Sequence, residues 1–119
     1  MTTVTAIIIS LFLHHATAVQ YDVGTVVTLK GTITRIDWVN PHIHIYIDVK
    51  SNDGSLETWT VEGPSPGATI VAGLSKKLLA SGTVVSFDAF PSKSGSPHAV
   101  CAKAVTLPDG NRFTFLVGI

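Results

Sequence analysis

The sequence predicts an all-β fold with one short helix. Most segments alternate apolar and polar residues with the two-residue period of a half-buried strand. Turn signals rich in glycine, proline and asparagine separate these segments. One segment, 68–79, instead spaces its apolar residues three and four apart, as a helix does, and it falls between the third and fourth strands. This order predicts a small OB-fold-like antiparallel barrel of five to six strands.

The segment 42–50 is the clearest strand. Side chains alternate between the two faces of a strand. One face therefore carries Ile43, Ile45, Ile47 and Val49, and the other carries His42, His44, Tyr46 and Asp48. We expect the first face to be core and the second to be polar. Asn40 and Pro41 form the turn before the strand, because proline cannot donate a hydrogen bond inside a sheet.

Two more strands complete the first half of the chain. The segment 25–38 alternates, but its phase slips near Arg35, as at a β-bulge, and Gly31 eases a bend. A hairpin turn at Asn52-Asp53-Gly54 leads into the third strand, 56–63.

The second half of the chain begins with the helix, 68–79. Gly73 divides it into two pieces, and Ser75 is the expected N-cap of the second piece. Strands follow at 83–90, 98–107 and 112–117, and a loop rich in serine and proline joins the first two. Strands do not alternate with helices along the chain, so a parallel sheet is not expected.

The composition describes one small, neutral domain. Of the 119 residues, 45% are hydrophobic and 13% are charged, and eight basic residues balance eight acidic ones. Such a chain is too apolar to be disordered. It has no excess positive charge to attract phosphates, so we expect no nucleic acid partner.

The N-terminal segment predicts export. Residues 6–13 form an apolar run that is too short to cross a membrane and suits the core of a signal peptide. We therefore expect residues 1–18 to be a signal peptide and 19–119 to be a single barrel, periplasmic or secreted, with no stable transmembrane segment after processing. The alternative is an additional buried strand, because residues 1–5 contain no lysine or arginine.

Several segments also resemble a known bacterial exported family. They are His14-His15, Tyr21-Asp22, Val27-Thr28-Leu29-Lys30-Gly31, Trp38-Val39-Asn40-Pro41-His42, Gly63-Pro64-Ser65-Pro66 and Val105-Thr106-Leu107-Pro108-Asp109-Gly110. In this order they resemble the family called domain of unknown function 6152. The resemblance implies a small exported β-barrel and assigns no activity.

The mature N-terminus depends on which signal is followed. The small residues Ala16 and Ala18 favour cleavage before Val19, which would remove His14 and His15. The family resemblance instead implies that the paired histidines lie just after the cleavage site. If they are retained, the new α-amino group and the imidazole of His14 could chelate Cu(II).

The candidate ligand-binding residues lie on and around the polar face of the second strand. They are His42, His44, Tyr46, Trp38 and Glu62. Histidine is the commonest ligand of transition metals, so His42, His44 and His98, with His14 and His15 if retained, are candidate ligands for copper or zinc. The alternative is structural: His44 faces solvent, and His42 caps the preceding turn.

The sequence contains no recognisable catalytic constellation. Cys101 alternates with apolar neighbours inside a strand and is expected to pack as a small hydrophobe. Trp59 is expected in the core, although Trp38, Tyr46 and Trp59 could also stack on a planar ligand. The leading hypothesis is a non-enzymatic envelope module that binds a small ligand, a metal ion or an envelope protein. The alternatives are a copper or zinc carrier and a small envelope enzyme without a recognisable motif.

Overall fold

The structure is a computed structural model, and it describes residues 20–115. Within this range, six strands and one helix follow one another. They are β1 (Val27–Asp37), β2 (His44–Lys50), β3 (Leu56–Glu62), α1 (Pro66–Val71), β4 (Val84–Pro91), β5 (Ala99–Thr106) and β6 (Arg112–Thr114).

The strands form one sheet in the order β3-β2-β1-β4-β5-β6. A parallel pairing between β3 and β5, from Thr60 opposite Ala99 to Glu62 opposite Cys101, closes the first five strands into a barrel. The other pairings are antiparallel, and β6 is an additional strand on β5. The prediction of a small closed barrel with its helix between β3 and β4 is confirmed.

The barrel interior confirms the predicted phase of β2. Ile43, Ile45 and Ile47 are fully buried, whereas Val49 is only partly buried and packs against the core. His42, His44 and Tyr46 are partly exposed on the other side of the chain. Core residues from the other strands include Ile33, Val61, Val85, Phe87, Val100 and Val105.

The predicted irregularity of the first strand is also present. The pairing of β1 with β2 shifts register between Ile33 and Arg35, so a bulge lies where the alternation slips. Gly31 lies against β2 so closely that a Cβ atom there would be 2.6 Å from the carbonyl oxygen of Asp48. Only glycine fits at this close approach of the two paired strands without a backbone shift.

The helix is shorter than predicted and begins earlier. It spans only Pro66–Val71, and its N-cap is Ser65, whose hydroxyl accepts a hydrogen bond from the amide of Ala68 at 3.1 Å. Gly73, with φ +105°, ends the helical conformation. Ser75 accepts a bond from the amide of Leu78 at 3.2 Å, but residues 76–79 form turns rather than the predicted second piece of helix.

The second strand begins at His44 rather than at His42. Ile43 nevertheless continues the pairing irregularly: its amide donates to Pro64 O at 2.9 Å, and Gly63 N donates to its carbonyl at 2.9 Å. The last strand ends at Thr114, and the remainder of its predicted range extends beyond the described residues.

The predicted signal peptide, the cleavage site before Val19, His14 and His15 all lie outside the described residues. Between residues 20 and 115, no helix is both long enough and apolar enough to span a membrane.

Candidate functional site

A polar surface covers the outside of β2 and β3. The antiparallel register sets His44 opposite Glu62, Tyr46 opposite Thr60, and Asp48 opposite Thr58. Directly paired residues point to the same face, so these six side chains share the outer surface while the isoleucines of β2 fill the interior. The hydroxyl of Thr58 donates to Asp48 at 3.1 Å, so a side-chain hydrogen bond links β2 and β3 at the end of this surface away from His44.

Two histidines lie beside one carboxylate at the other end of this surface, where β2 begins and β3 ends. The Oε1 atom of Glu62 lies 3.9 Å from Nε2 of His44 and 4.0 Å from Nδ1 of His42. The side chains of His42 and His44 are 42% and 38% exposed, against 21% for Glu62. The histidines are thus open to a ligand, whereas the carboxylate lies deeper. We call these three residues the His-Glu-His cluster.

Backbone contacts orient His42 within this cluster. Its Nδ1 lies 3.0 Å from the carbonyl oxygen of Gly63, so in the tautomer that makes this bond Nδ1 carries the proton and donates. That tautomer leaves Nε2 of His42 with a lone pair for a ligand. Gly63 follows Glu62 at the end of β3, so one strand end positions both the carboxylate and the ring of His42.

Two further groups lie next to Glu62. Cys101 pairs with Glu62 across the barrel closure, and Tyr21 reaches this region from the segment that bridges to Ser92. Burial, and secondly the Glu62 charge, raise the pKa of the Cys101 thiol to about 12. Burial, followed by the hydrogen bond and the charge of Glu62, also raises the pKa of Tyr21. Both groups therefore stay protonated at neutral pH.

Tyr21 was not predicted as a site residue. It lies before β1, where no strand or helix pattern marks it, and its only signal was its place in the Tyr21-Asp22 pair of the family resemblance. Its position depends on backbone bonds to the end of β4 and the loop after it: Asp22 N donates to Pro91 O at 2.8 Å, and Lys93 N donates to Gln20 O at 3.0 Å. Such contacts between distant parts of the chain leave no local pattern in a sequence.

The other predicted ligand-binding residues lie in different surroundings. The hydroxyl of Tyr46 donates to Asp37 at 3.2 Å, and the Arg35 guanidinium lies 4.2 Å from the centre of its ring. Trp38 packs against the core, with Nζ of Lys76 6.0 Å from its ring centre. The ring of Tyr46 is therefore covered by Arg35 rather than presented to a ligand.

The structure does not bring His98 to His42 and His44. His98 pairs through Nε2 with the carboxylate of Glu57, and its ring lies 4.8 Å from that of Trp59. Glu57 and Glu62 are five positions apart on β3, so they point to opposite faces and are separated by roughly 17 Å along the strand. The two groups of histidines are separate sites.

The cluster contains the donors that a transition metal prefers, two imidazoles and a carboxylate. His42, His44 and Glu62 are the residues that could hold such an ion. As they stand, however, no three or more histidine, cysteine or acidic side chains within residues 20–115 are arranged as a metal site. A metal would require the rings to turn toward one another.

Comparison with known families identifies the chain. The model of a family of unknown function, DUF6152, matches residues 3–105. The chain belongs to this family. The resemblance found in the sequence is thereby confirmed. A search of the curated proteins finds no match to this DUF6152 member.

Solved structures share the fold. One crystal form of the mitochondrial single-stranded DNA-binding protein Rim1 from S. cerevisiae is 14% identical with a TM-score of 0.50, and the match covers 73% of this DUF6152 chain and 97% of that one. The other crystal form gives 12% identity, a TM-score of 0.47, and coverages of 71% and 92%. TiaS in complex with tRNA and ATP gives 14% identity and 0.45, over 69% of this chain and 18% of that one. The likeness to the first of these structures shows the fold alone, and nothing is concluded from the two with TM-scores below 0.5.

Proposed function

We propose that this DUF6152 member is a non-enzymatic binding module of the bacterial cell envelope, and that it binds its ligand at the His-Glu-His cluster. The observation that supports this most directly is the placement of two part-exposed imidazoles around one less exposed carboxylate oxygen, at 3.9 and 4.0 Å. These groups offer hydrogen-bond donors, acceptors and a negative charge at one exposed point. The outer face of strands two and three is also where OB-fold barrels bind their ligands.

Binding is favoured over catalysis by the state of the nearest nucleophile. The reactive form of cysteine is the thiolate. Burial and the Glu62 charge hold the pKa of the Cys101 thiol at about 12, and the residue is only 4% exposed. A thiol that is protonated and covered at neutral pH serves packing rather than attack on a substrate.

A second candidate function is copper or zinc binding. It is favoured by the same cluster, because each imidazole nitrogen lies within 4.0 Å of a shared carboxylate oxygen. Because Nδ1 of His42 bonds to the Gly63 carbonyl, the rings would have to turn so that Nε2 of His42 and Nε2 of His44 meet at one ion. Copper is bound more tightly than zinc by most nitrogen and oxygen donor sets, so we expect copper to be preferred.

Native mass spectrometry of the protein purified without a tag from its own compartment tests both candidates. The variant is His42→Asn with His44→Asn, and the control is His98→Asn, which alters a histidine at the separate site. We expect a bound species on the wild type and the control that is absent from the double variant. No bound species, or one that the double variant keeps, would contradict the proposed site.

The mass of the bound species separates the two candidates. An equimolar copper or zinc ion would support the metal carrier, and an organic molecule would support the small-ligand module. A protein that carries no metal and keeps its melting temperature when copper or zinc is added would remove the second candidate.

The proposed location is the periplasm or the extracellular space, and it depends on processing of residues 1–18. We expect the mature protein to begin at Val19, because small residues precede that position. The intact mass of the exported protein measures this directly. A mass that begins at His14 would contradict it and would add an N-terminal copper chelate, while an unprocessed mass would contradict export.

A further inference from the structure

A cavity lies at the end of β3 opposite the His-Glu-His cluster, next to the loop between β4 and β5. Its volume is about 480 Å³, within the roughly 300–1,000 Å³ of small-molecule sites. Its walls are mainly apolar and come from Val27 and Leu29 of β1, Trp59 of β3, and Val100 of β5. Pro91, Ser92 and residues 95–98 also line it, so His98 is part of its lining.

The walls of this cavity belong to the barrel interior. β1 is not a sheet neighbour of β3 or β5, so side chains from all three strands meet only across the inside of the barrel. Val27, Leu29 and Trp59 pack against the core, and Val100 belongs to it. The cavity is therefore an open end of the barrel, separate from the His-Glu-His cluster on the outer surface.

One polar group is placed at the edge of this apolar space. The imidazole of His98 uses Nε2 to pair with the Glu57 carboxylate, so Nδ1 is the nitrogen left for a ligand. In the tautomer that donates from Nε2, Nδ1 accepts a hydrogen bond. The position of His98 is fixed, because its carbonyl accepts a bond from Thr60 N at 2.9 Å and its ring packs on Trp59.

The charges at the edge select a neutral ligand. The Glu57 carboxylate would repel an anion, and its oxygen is already bonded to Nε2 of His98. An ion carried into the apolar part of the cavity would lose its hydration without gaining a partner. The exposed part of the Trp59 ring instead offers a flat surface for stacking.

We propose that this cavity is a binding site for a small, neutral aromatic molecule that carries a hydroxyl or N–H donor. The ring of the ligand packs between Trp59 and the aliphatic side chains of β1 and β5, and its donor bonds to Nδ1 of His98. The site is independent of the cluster that binds the ligand of the proposed function.

The test uses β-naphthol as the probe, with its methyl ether as a ligand that lacks the donor and β-naphthoate as an anion. The protein is the full chain carrying Trp38→Phe, so that Trp59 is the one remaining tryptophan and its fluorescence reports on this cavity. We expect β-naphthol to quench Trp59 and to bind about tenfold more tightly than the ether, the value of one hydrogen bond of about 1.4 kcal/mol. The naphthoate should bind more weakly than β-naphthol.

Two histidine variants locate the hydrogen bond. His98→Asn tolerates the φ of +61° at this position, as asparagine does more readily than most residues, and it should abolish the preference for β-naphthol over the ether. His44→Asn, on the outer surface, should keep that preference. Equal preference in both variants, or no binding of β-naphthol to the wild type, would overturn the proposal.

A measurement on the wild type keeps the test decisive if His98→Asn folds poorly. Nuclear Overhauser contacts should connect the β-naphthol ring to the methyl groups of Leu29 and Val100. Contacts to other parts of the protein in place of these would overturn the assignment.

Discussion

His44 and Ile45 are neighbours in the chain, but they have opposite physical roles. Ile45 is fully buried in the barrel, while the His44 side chain is 38% exposed beside Glu62. The alternation of β2 thus separates a residue that stabilises the fold from one that is available to a ligand. This separation makes it possible to alter the candidate site without altering the core.

We expect Ile45→Ala to destabilise the protein far more than His44→Ala. Truncating a buried isoleucine leaves a cavity and costs roughly 2–5 kcal/mol of unfolding free energy. A change at a part-exposed strand position away from such packing costs about 0.5 kcal/mol or less. Urea denaturation of the two variants and the wild type measures both values. Equal losses would show that His44 is structural and would weaken the proposed site.

At the scale of elements, β1 lies unusually close to the backbone of β2 at Gly31. A Cβ atom there would lie 2.6 Å from the Asp48 carbonyl oxygen, and backbone atoms cannot move aside as a side chain can. Gly67, inside α1, has no atom near the corresponding position. An added methyl group should therefore destabilise the protein at Gly31 and stabilise it at Gly67.

We expect Gly31→Ala to lower the unfolding free energy by about 1–3 kcal/mol, because the strands must separate. Gly67→Ala should raise it by about 0.4–1 kcal/mol, since alanine restricts the unfolded chain at a position compatible with a helix. Chemical denaturation of the pair checks this. A Gly31→Ala protein as stable as the wild type would contradict the close approach of β1 to the Asp48 carbonyl.

The elements also show what a sequence can predict. The phase of β2 was predicted correctly because a two-residue period is local, and burial of Ile43, Ile45 and Ile47 follows from it. The extent of the helix was not: of the apolar residues in 68–79, Leu74 and Leu79 are buried but lie outside the helix, whereas Ile70, Val71 and Leu78 are exposed. Apolar spacing in this segment therefore specified neither the backbone conformation nor which of its apolar side chains are buried.

The candidate site was only partly predictable for a related reason. The hairpin turn around Asp53 fixes the register that sets His44 opposite Glu62, so local information leads to that pair. The separate position of His98 depends on the pairing of β3 with β5, two strands that are not consecutive in the chain. No local pattern in the sequence specifies that pairing.

At the scale of the whole molecule, two weak acids, the buried Cys101 and the half-buried Tyr21, make the unfolding free energy depend on pH in the alkaline range. The pKa of Cys101 rises from 9.0 in the exposed thiol to about 12 in the fold, chiefly because burial disfavours the thiolate. Burial and Glu62 likewise raise the pKa of Tyr21 above its ordinary 10.0. The folded protein therefore holds protons that the unfolded chain releases at high pH.

Titration of Cys101 should leave the unfolding free energy unchanged below about pH 9 and should lower it between about pH 9 and 12. The contribution of one thiol is at most about 1.4 kcal/mol per pH unit. Cys101→Ala should make this slope shallower and leave the part that belongs to Tyr21. Urea denaturation at several alkaline pH values gives the slope. The control Val100→Ala should lower stability without changing the slope, and an unchanged slope in Cys101→Ala would contradict the prediction.

The short seam between β3 and β5 has a consequence for the order of folding. β1, β2 and β3 follow one another through tight connections, so their contacts form between residues close in the chain. The seam joins only Thr60, Val61 and Glu62 to β5, which lies about 40 residues later in the chain. Closing the intervening chain into a loop costs conformational entropy before the seam contacts can form. We expect β1, β2 and β3 to assemble first and the pairing of β3 with β5 to form last. Pulse-labelled hydrogen exchange should then protect the amide of Ile47 before that of Thr60, and the reverse order would show that closure nucleates the barrel.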